Sequence, residues 1–371
     1  MDHILRCHPI LKEDFVSAQG SFLQDREGRT YLDGESGVWC VPLGHGHPRI
    51  QKILNNQYGT LAHMGFRYGC DIIEQAALDL LKVLGFPDGK VVFLTSGSEA
   101  VELGLKFAQI VTSRCKWMGL EPSYLSAYGQ GQDMGTSRWH MIERSARPVN
   151  LPQDPSSYAA LVLEPGSAGG SVCFPATELI EPLARDLQCA EALVVVDEVT
   201  TGMGRTGQWF AFQHYDLQPD IVAVGKGLGN GYPISAVAVR QHVADHIEAA
   251  GLHYVQSHQN DPLGCAVACE VIATLREEGL IQRSAQMGER LQSMLSQRSY
   301  PGIREVRGKG LMIAVELTEE LQAGNIFNRM LERGILVGCN PSYNCIRFMP
   351  PLNTPESALE TFVEQCEELL I

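Results

Sequence analysis

The chain has 371 residues, 44% of them hydrophobic and 19% charged, the balance of a globular protein with a large core rather than of a disordered or fibrous one. Its net charge of −14 leaves no electrostatic footprint for phosphate-rich polymers, so nucleic acid is not an expected partner. No window offers the run of about eighteen uncharged apolar residues that a membrane span needs, so no membrane association is expected.

In chain order, the opening residues from Met1 to Pro9 lack the basic and apolar regions of a secretory signal. Residues 22–33 then alternate around an Asp25-Arg26-Glu27-Gly28 turn and predict a hairpin. From about 90 to 240 one theme repeats: a short Val/Ile/Leu run, a Gly or acidic turn, then a longer amphipathic stretch. That is the pattern of buried parallel strands joined by helices. The runs are 91–94, 160–163, 193–196, 221–224 and 235–239. Just past four of them stand Ser96-Gly97-Ser98, Glu164, Asp197 and Lys226, on the edge where open α/β sheets bind ligands. Residues 241–295 read as mostly helical, 303–317 as a strand pair, 334–337 and 345–348 as strands, and 355–370 as a closing amphipathic helix.

The fold expected is α/β, with a smaller α+β layer appended. Residues 1–45 form an N-terminal segment joining the small domain, 46–245 the large domain, and 246–371 a linking helix and the small domain. The 11 cysteines are scattered singly and odd in number, which predicts reduced thiols and a cytoplasmic protein. Cys265 and Cys269 share a helical spacing, but no second pair of ligands follows at zinc-site spacing, and no metal is expected there.

Lys226 carries the most information. It sits in Gly225-Lys226-Gly227-Leu228-Gly229, between a Val-rich run and a glycine turn, where a lowered pKa would make its amine a nucleophile toward a carbonyl, forming a Schiff base. A phosphate-binding or helix-capping lysine is the alternative. Ser96-Gly97-Ser98 precedes a helical run and suits a phosphate monoester, although Ser96, Ser98 and Glu99 would equally satisfy a helix N-cap. Asp197 ends a buried run, where its carboxylate needs a cationic or N–H partner, and a protonated pyridine nitrogen is one. A lysine for an aldehyde, a phosphate cup and an acid for a ring nitrogen are the three things pyridoxal phosphate requires. Magnesium or a sugar hydroxyl could occupy the Asp instead, but neither a Walker-type loop nor an early Gly-x-Gly-x-x-Gly is present.

At this point the chain resembles class III pyridoxal-phosphate aminotransferases. The likeness rests on Gly44-His45-Gly46-His47-Pro48, Ser96-Gly97-Ser98-Glu99-Ala100, Leu163-Glu164-Pro165 and the long block from Asp197 to Gly207, with Lys226 to Pro233, Asn260-Asp261-Pro262 and Arg347-Phe348. It implies the fold-type I, aspartate-aminotransferase-like architecture and a homodimer with shared active sites. By resemblance, Gly97 and Ser98 hold the phosphate, Asp197 the ring nitrogen and Lys226 the aldehyde, with Glu164 nearby and Val199 on one ring face. Ser257 stands where the family has a Thr reaching the neighbouring subunit's phosphate, and keeps the hydroxyl. Trp39 lies where ω-amine transaminases place an aromatic wall, with a core Trp as the alternative.

Two departures stand out. Where many members carry an aromatic-His-Gly-Arg stretch, this chain has residues 127–135, so either Tyr128 stacks on the cofactor after a one-residue shift or that face is open. Gln132 replaces the Arg used for an α-carboxylate by ornithine and acetylornithine transaminases, and the loop 164–170 lacks the second Glu those enzymes pair with an Arg. Both departures argue against those two activities. The expected reaction is amino transfer between an amine or amino acid and a 2-oxo acid. Arg347 is the candidate for a substrate carboxylate and a structural salt bridge its alternative. A racemase or aminomutase using the same lysine, or a non-catalytic subunit, would be the other outcomes.

Overall fold

Strands without a polar interior residue need cover on both faces, and the central sheet supplies it. The computed structural model describes residues 3–12, 14–145, 154–167, 169–297 and 300–370. Met1 and Asp2 of the opening stretch and Ala168 of the 164–170 loop lie outside these residues. Seven strands are ordered Lys90–Leu94, Ser235–Val239, Ile221–Val224, Leu193–Asp197, Tyr158–Leu163, Lys116–Glu121 and Trp139–Glu143. Val194 and Val196 enter one core while Leu193 and Val195 enter the other, because successive side chains of a strand point to opposite faces.

The expectation of parallel strands holds from Trp139–Glu143 across to Ile221–Val224. It fails at Ser235–Val239, which pairs antiparallel with both its neighbours. Only residues 225–234 separate it from the preceding strand, too few for a crossover, so the chain turns straight back. The sequence reading also omits Lys116–Glu121 and Trp139–Glu143, whose apolar runs are interrupted by Gly119 and His140.

Two four-stranded sheets flank this one. The predicted hairpin appears as Phe22–Asp25 and Thr30–Asp33, joined by Phe15–Gln19 on one side. On its other side lies Ile335–Leu336, running parallel to Thr30–Asp33 from near the far end of the chain. The third sheet is antiparallel: Ile303–Lys309, Met312–Leu317, Cys345–Phe348 and Gly338–Asn340. Leu280–Gln297 and Glu356–Leu369 pack together beside it. No helix among the described residues is long and apolar enough to cross a membrane.

Candidate active site

Lys226 opens a single 3-10 turn, Lys226–Gly229, at the end of Ile221–Val224. Its φ of 41° lies in the left-handed region, which costs a non-glycine residue roughly 1 to 3 kcal/mol and persists only where surroundings enforce it. Asn230 supplies the enforcement: its Oδ1 accepts from the Leu43 N–H at 2.8 Å and its Nδ2 donates to the Gly44 carbonyl at 3.1 Å. The amine is thereby aimed, donating to Thr200 Oγ1 at 2.7 Å with the Trp39 ring centroid 5.1 Å away.

Trp39 is presented by an unusual turn. Ser36, Gly37, Val38 and Trp39 have φ of 42, 60, 58 and 67°, four successive left-handed residues. Asp33 holds them, its Oδ1 accepting from the Glu35 N–H at 3.0 Å and its Oδ2 from the Gly37 N–H at 2.8 Å. The half-buried indole stands between Lys226 and Arg347, whose guanidinium carbon is 5.6 Å from the ring centroid.

Arg347 is buried within Cys345–Phe348 and pairs in register with Gly338. A Cβ on Gly338 would run into the Glu35 carboxylate and would sit 2.8 Å from Arg347 Nε, so the two side chains crowd one point. Burial pushes Glu35 up to about 7, against the pull of Arg347 and of the Trp39 indole. Glu35 has no assigned role in the sequence reading; it lies in the turn that carries Trp39.

Asp197 and Glu198 divide two tasks because neighbouring side chains face opposite ways. Glu198 is absorbed by the scaffold, accepting from Thr201 Oγ1 at 2.6 Å and from the N–H groups of Ala211 and Phe212 at 2.9 and 2.7 Å. Asp197, 4% exposed, accepts from the Val199 N–H at 2.9 Å. Burial, then the nearby Glu164 carboxylate, push it up to about 8, with the Val199 N–H and Lys226 pulling down. Glu164 is itself buried and accepts from the Tyr124 N–H at 2.9 Å, which ties residue 124 to the strand end.

The structure bears out the N-cap reading of Ser96. Ser96 is the N-cap of Gly97–Thr112 and closes a capping box with Glu99. Among the described residues nothing accepts from the N–H groups of Gly97 and Ser98, which stay available at the positive end of a sixteen-residue helix. Ser98 Oγ accepts from the Ala127 N–H at 2.9 Å and keeps its own hydroxyl proton to donate, tethering the segment that carries Tyr128. Tyr128 is 48% exposed, with Ser96 and Glu99 near its hydroxyl. A Cβ on Gly97 would fall 2.5 Å from Val199 Cγ1, so glycine here lets Val199 close one side of the cup.

Ser257 is exposed in the connection between Gln241–Ala249 and Pro262–Glu277. Asp261 caps the second helix, so Ser257 has no capping task. The connection is pinned to the edge strand, with Asn260 N–H donating to the Phe93 carbonyl at 3.0 Å and Phe93 N–H to Asn260 Oδ1 at 2.9 Å. Thr200 and Arg205, both inside the Asp197 to Gly207 block, have no assigned role in the sequence reading. Arg205 is buried and donates to the carbonyls of Leu311 and Pro350 at 3.0 and 2.5 Å and to Ser36 Oγ at 3.0 Å, joining the turn before Trp39 to the third sheet.

These groups suit one ligand. An acid short of a cation, unused amide protons at a helix start and an amine clamped in a glycine turn complement a protonated ring nitrogen, a phosphate and an aldehyde. Pyridoxal phosphate fits the donor set. With the groups at the C-terminal edge of a mostly parallel sheet, the architecture is that of a fold-type I pyridoxal-phosphate-dependent transferase. Comparison with known families agrees: the chain belongs to the class III aminotransferases, whose family model matches residues 7–125 and 129–370. The break between the two matched segments falls on Tyr128. An acetylornithine aminotransferase of Methanopyrus kandleri is 32% identical over 96% of this chain and 93% of its own. A 5-aminovalerate aminotransferase of Pseudomonas aeruginosa is 31% identical over 95% and 91%. Among solved structures, an ornithine aminotransferase from Toxoplasma gondii, described with pyridoxal phosphate at its active site, superimposes with a TM-score of 0.86. It is 25% identical over 99% of this chain and 93% of that one.

Proposed function

We propose that this aminotransferase works through Lys226, held by Thr200 and faced by Trp39, with Arg347 receiving a carboxylate of the substrate. The observation that carries the reading is the clamped Lys226 turn, which points its amine at Thr200 beside the end of the Asp197 strand. When bound, pyridoxal phosphate supplies an electron-withdrawing ring that spreads the negative charge left on a deprotonated carbon. Gly97 and Ser98 would hold the phosphate, and Asp197 would accept from the protonated ring nitrogen. Val199 would pack on one ring face and Tyr128 would cover the other, while Glu164 steadies the chain at Tyr124. Lys226 Nζ would act as the base toward the amine-bearing carbon of the substrate and then as the acid that returns the proton, with Thr200 Oγ1 keeping it aimed.

Ser257 reaches the phosphate of a second subunit, so the working form is a homodimer with shared sites. The division into segments 1–45, 46–245 and 246–371, and a cytoplasmic location with free thiols, belong to the same reading. The relatives are named for donors whose reacting amine lies at the far end of a carboxylate-bearing chain. That supports an ω-amine or ω-amino acid donor and a 2-oxo acid acceptor. Gln132 is exposed and offers no guanidinium, which speaks against ornithine and acetylornithine. The test is a panel of amines and amino acids given to the loaded enzyme with a 2-oxo acid, the new amino acid being measured by mass spectrometry. No product from any donor would refute the reading.

A further inference from the structure

Beside Ser257, three metal-ligating side chains converge from two distant stretches of chain. His63 lies in the connection between Pro48–Thr60 and Asp71–Leu84, and His258 and Asp261 lie just before Pro262–Glu277. His63 Nδ1 is 2.8 Å from Asp261 Oδ1, and His258 Nδ1 is 3.6 Å from the same oxygen. All three ligand atoms fall within 4.8 Å of one another, and the imidazoles are 4.5 Å apart between centroids.

The carboxylate is preset. Asp261 Oδ2 accepts from the Tyr232 hydroxyl at 3.1 Å and from the Gly264 N–H at 3.2 Å, which leaves Oδ1 facing both rings. Outer hydrogen bonds of this kind orient metal ligands. A hydrogen bond from His63 accounts for one ring. It does not account for the second, whose nitrogen at 3.6 Å is too far to share the oxygen well. In the single chain the rings are 41% and 57% exposed, and a cavity of about 130 Å³ lined by Thr95, Tyr232, His258 and Asp261 adjoins them, which leaves room for water to complete a coordination shell.

We propose that His63, His258 and Asp261 bind a divalent transition cation, with zinc as the type case, through two imidazole nitrogens and one carboxylate oxygen. Bonds of roughly 2.0 to 2.2 Å in a tetrahedron put ligand atoms about 3.4 Å apart. The observed 2.8 and 3.6 Å to Asp261 Oδ1 bracket that spacing, and rotation of the two histidine side chains, whose ligand nitrogens lie within 4.8 Å of each other, closes the difference. Imidazole donors favour such an ion over calcium or magnesium. The ion would tie the 250–261 connection, and with it Ser257, to residue 63.

The experiment uses the cofactor-loaded protein, stripped with a chelator and dialysed against zinc chloride, with bound zinc measured by elemental analysis and affinity by calorimetry. One zinc per chain is expected, with affinity falling at least tenfold in His63→Gln and in His258→Gln. A zinc-dependent rise in Tm should disappear in both. Asp261→Asn preserves the helix cap but removes the charge, and should weaken binding as well. No stoichiometric zinc, or zinc held equally well by wild type and the histidine variants through exposed thiols such as Cys115 and Cys189, overturns the site.

Discussion

Glu35 and Arg347 crowd the same space beside Gly338: a Cβ there would run into the carboxylate of one and lie 2.8 Å from Nε of the other. Glu35 is a half-buried acid that desolvation pushes up to about 7. Above that value its charge competes with a substrate carboxylate for the guanidinium; below it, that competition is removed. The KM of wild type for a 2-oxo acid should therefore rise as pH increases through 7. Glu35→Gln should flatten that rise and lower KM severalfold at pH 8, about 1 kcal/mol in favour of the carboxylate. Identical profiles in initial-rate measurements would separate Glu35 from substrate binding.

Lys226 should be the residue that carries the cofactor. Borohydride reduction of the loaded protein, followed by peptide mapping, is expected to place a pyridoxyl group on Lys226 and on no other of the chain's lysines. A label at Lys309 or Lys106 would end the assignment.

Asp197→Asn should lower kcat more than a hundredfold, about 2.7 kcal/mol of barrier, because an amide cannot hold a charged ring nitrogen. The same variant has a signature without cofactor. Asp197 is raised from 3.8 to about 8, so between those values the folded chain keeps a proton that the unfolded chain has lost. Stability is thus greatest at the acid end of that window and falls as pH rises, by up to about 1.4 kcal/mol per pH unit from this group. Denaturant titrations of the cofactor-free variant should show a shallower fall between about pH 5 and 7. An unchanged slope would mean that Asp197 does not titrate in this range.

Ser257→Ala should weaken cofactor binding by roughly 1.5 to 3 kcal/mol, the contribution of a hydrogen bond to a charged group. Dilution that separates the subunits should weaken it further. An active monomer with wild-type cofactor affinity would return Ser257 to the status of an exposed loop residue.

The sequence exposes those parts of the site that depend on local pattern. Asp197 and Lys226 follow short apolar runs, and the strands form where those runs lie. Glycine and serine after Leu94 predict a helix start, and the structure supplies one. Ser235–Val239 shows the limit: its composition matches its neighbours, and only the length of the preceding turn reveals its direction. Glu35 and the His63 cluster are invisible for another reason. Each depends on residues hundreds of positions apart, Glu35 on Arg347 and His63 on Asp261, and no periodicity encodes such a meeting.

The pairing of Leu32 with Ile335 also sets an order of assembly. Strands 90–94 to 235–239 can close while the rest of the chain is still on the ribosome, bringing Lys226 beside Thr200. The first sheet must wait for its fourth strand, and the wall facing Lys226 stays unfinished until Arg347 has emerged. Contacts of such long sequence separation form late. Within one chain the residues for the cofactor are therefore assembled before those for the substrate, and pairing with a second subunit follows both.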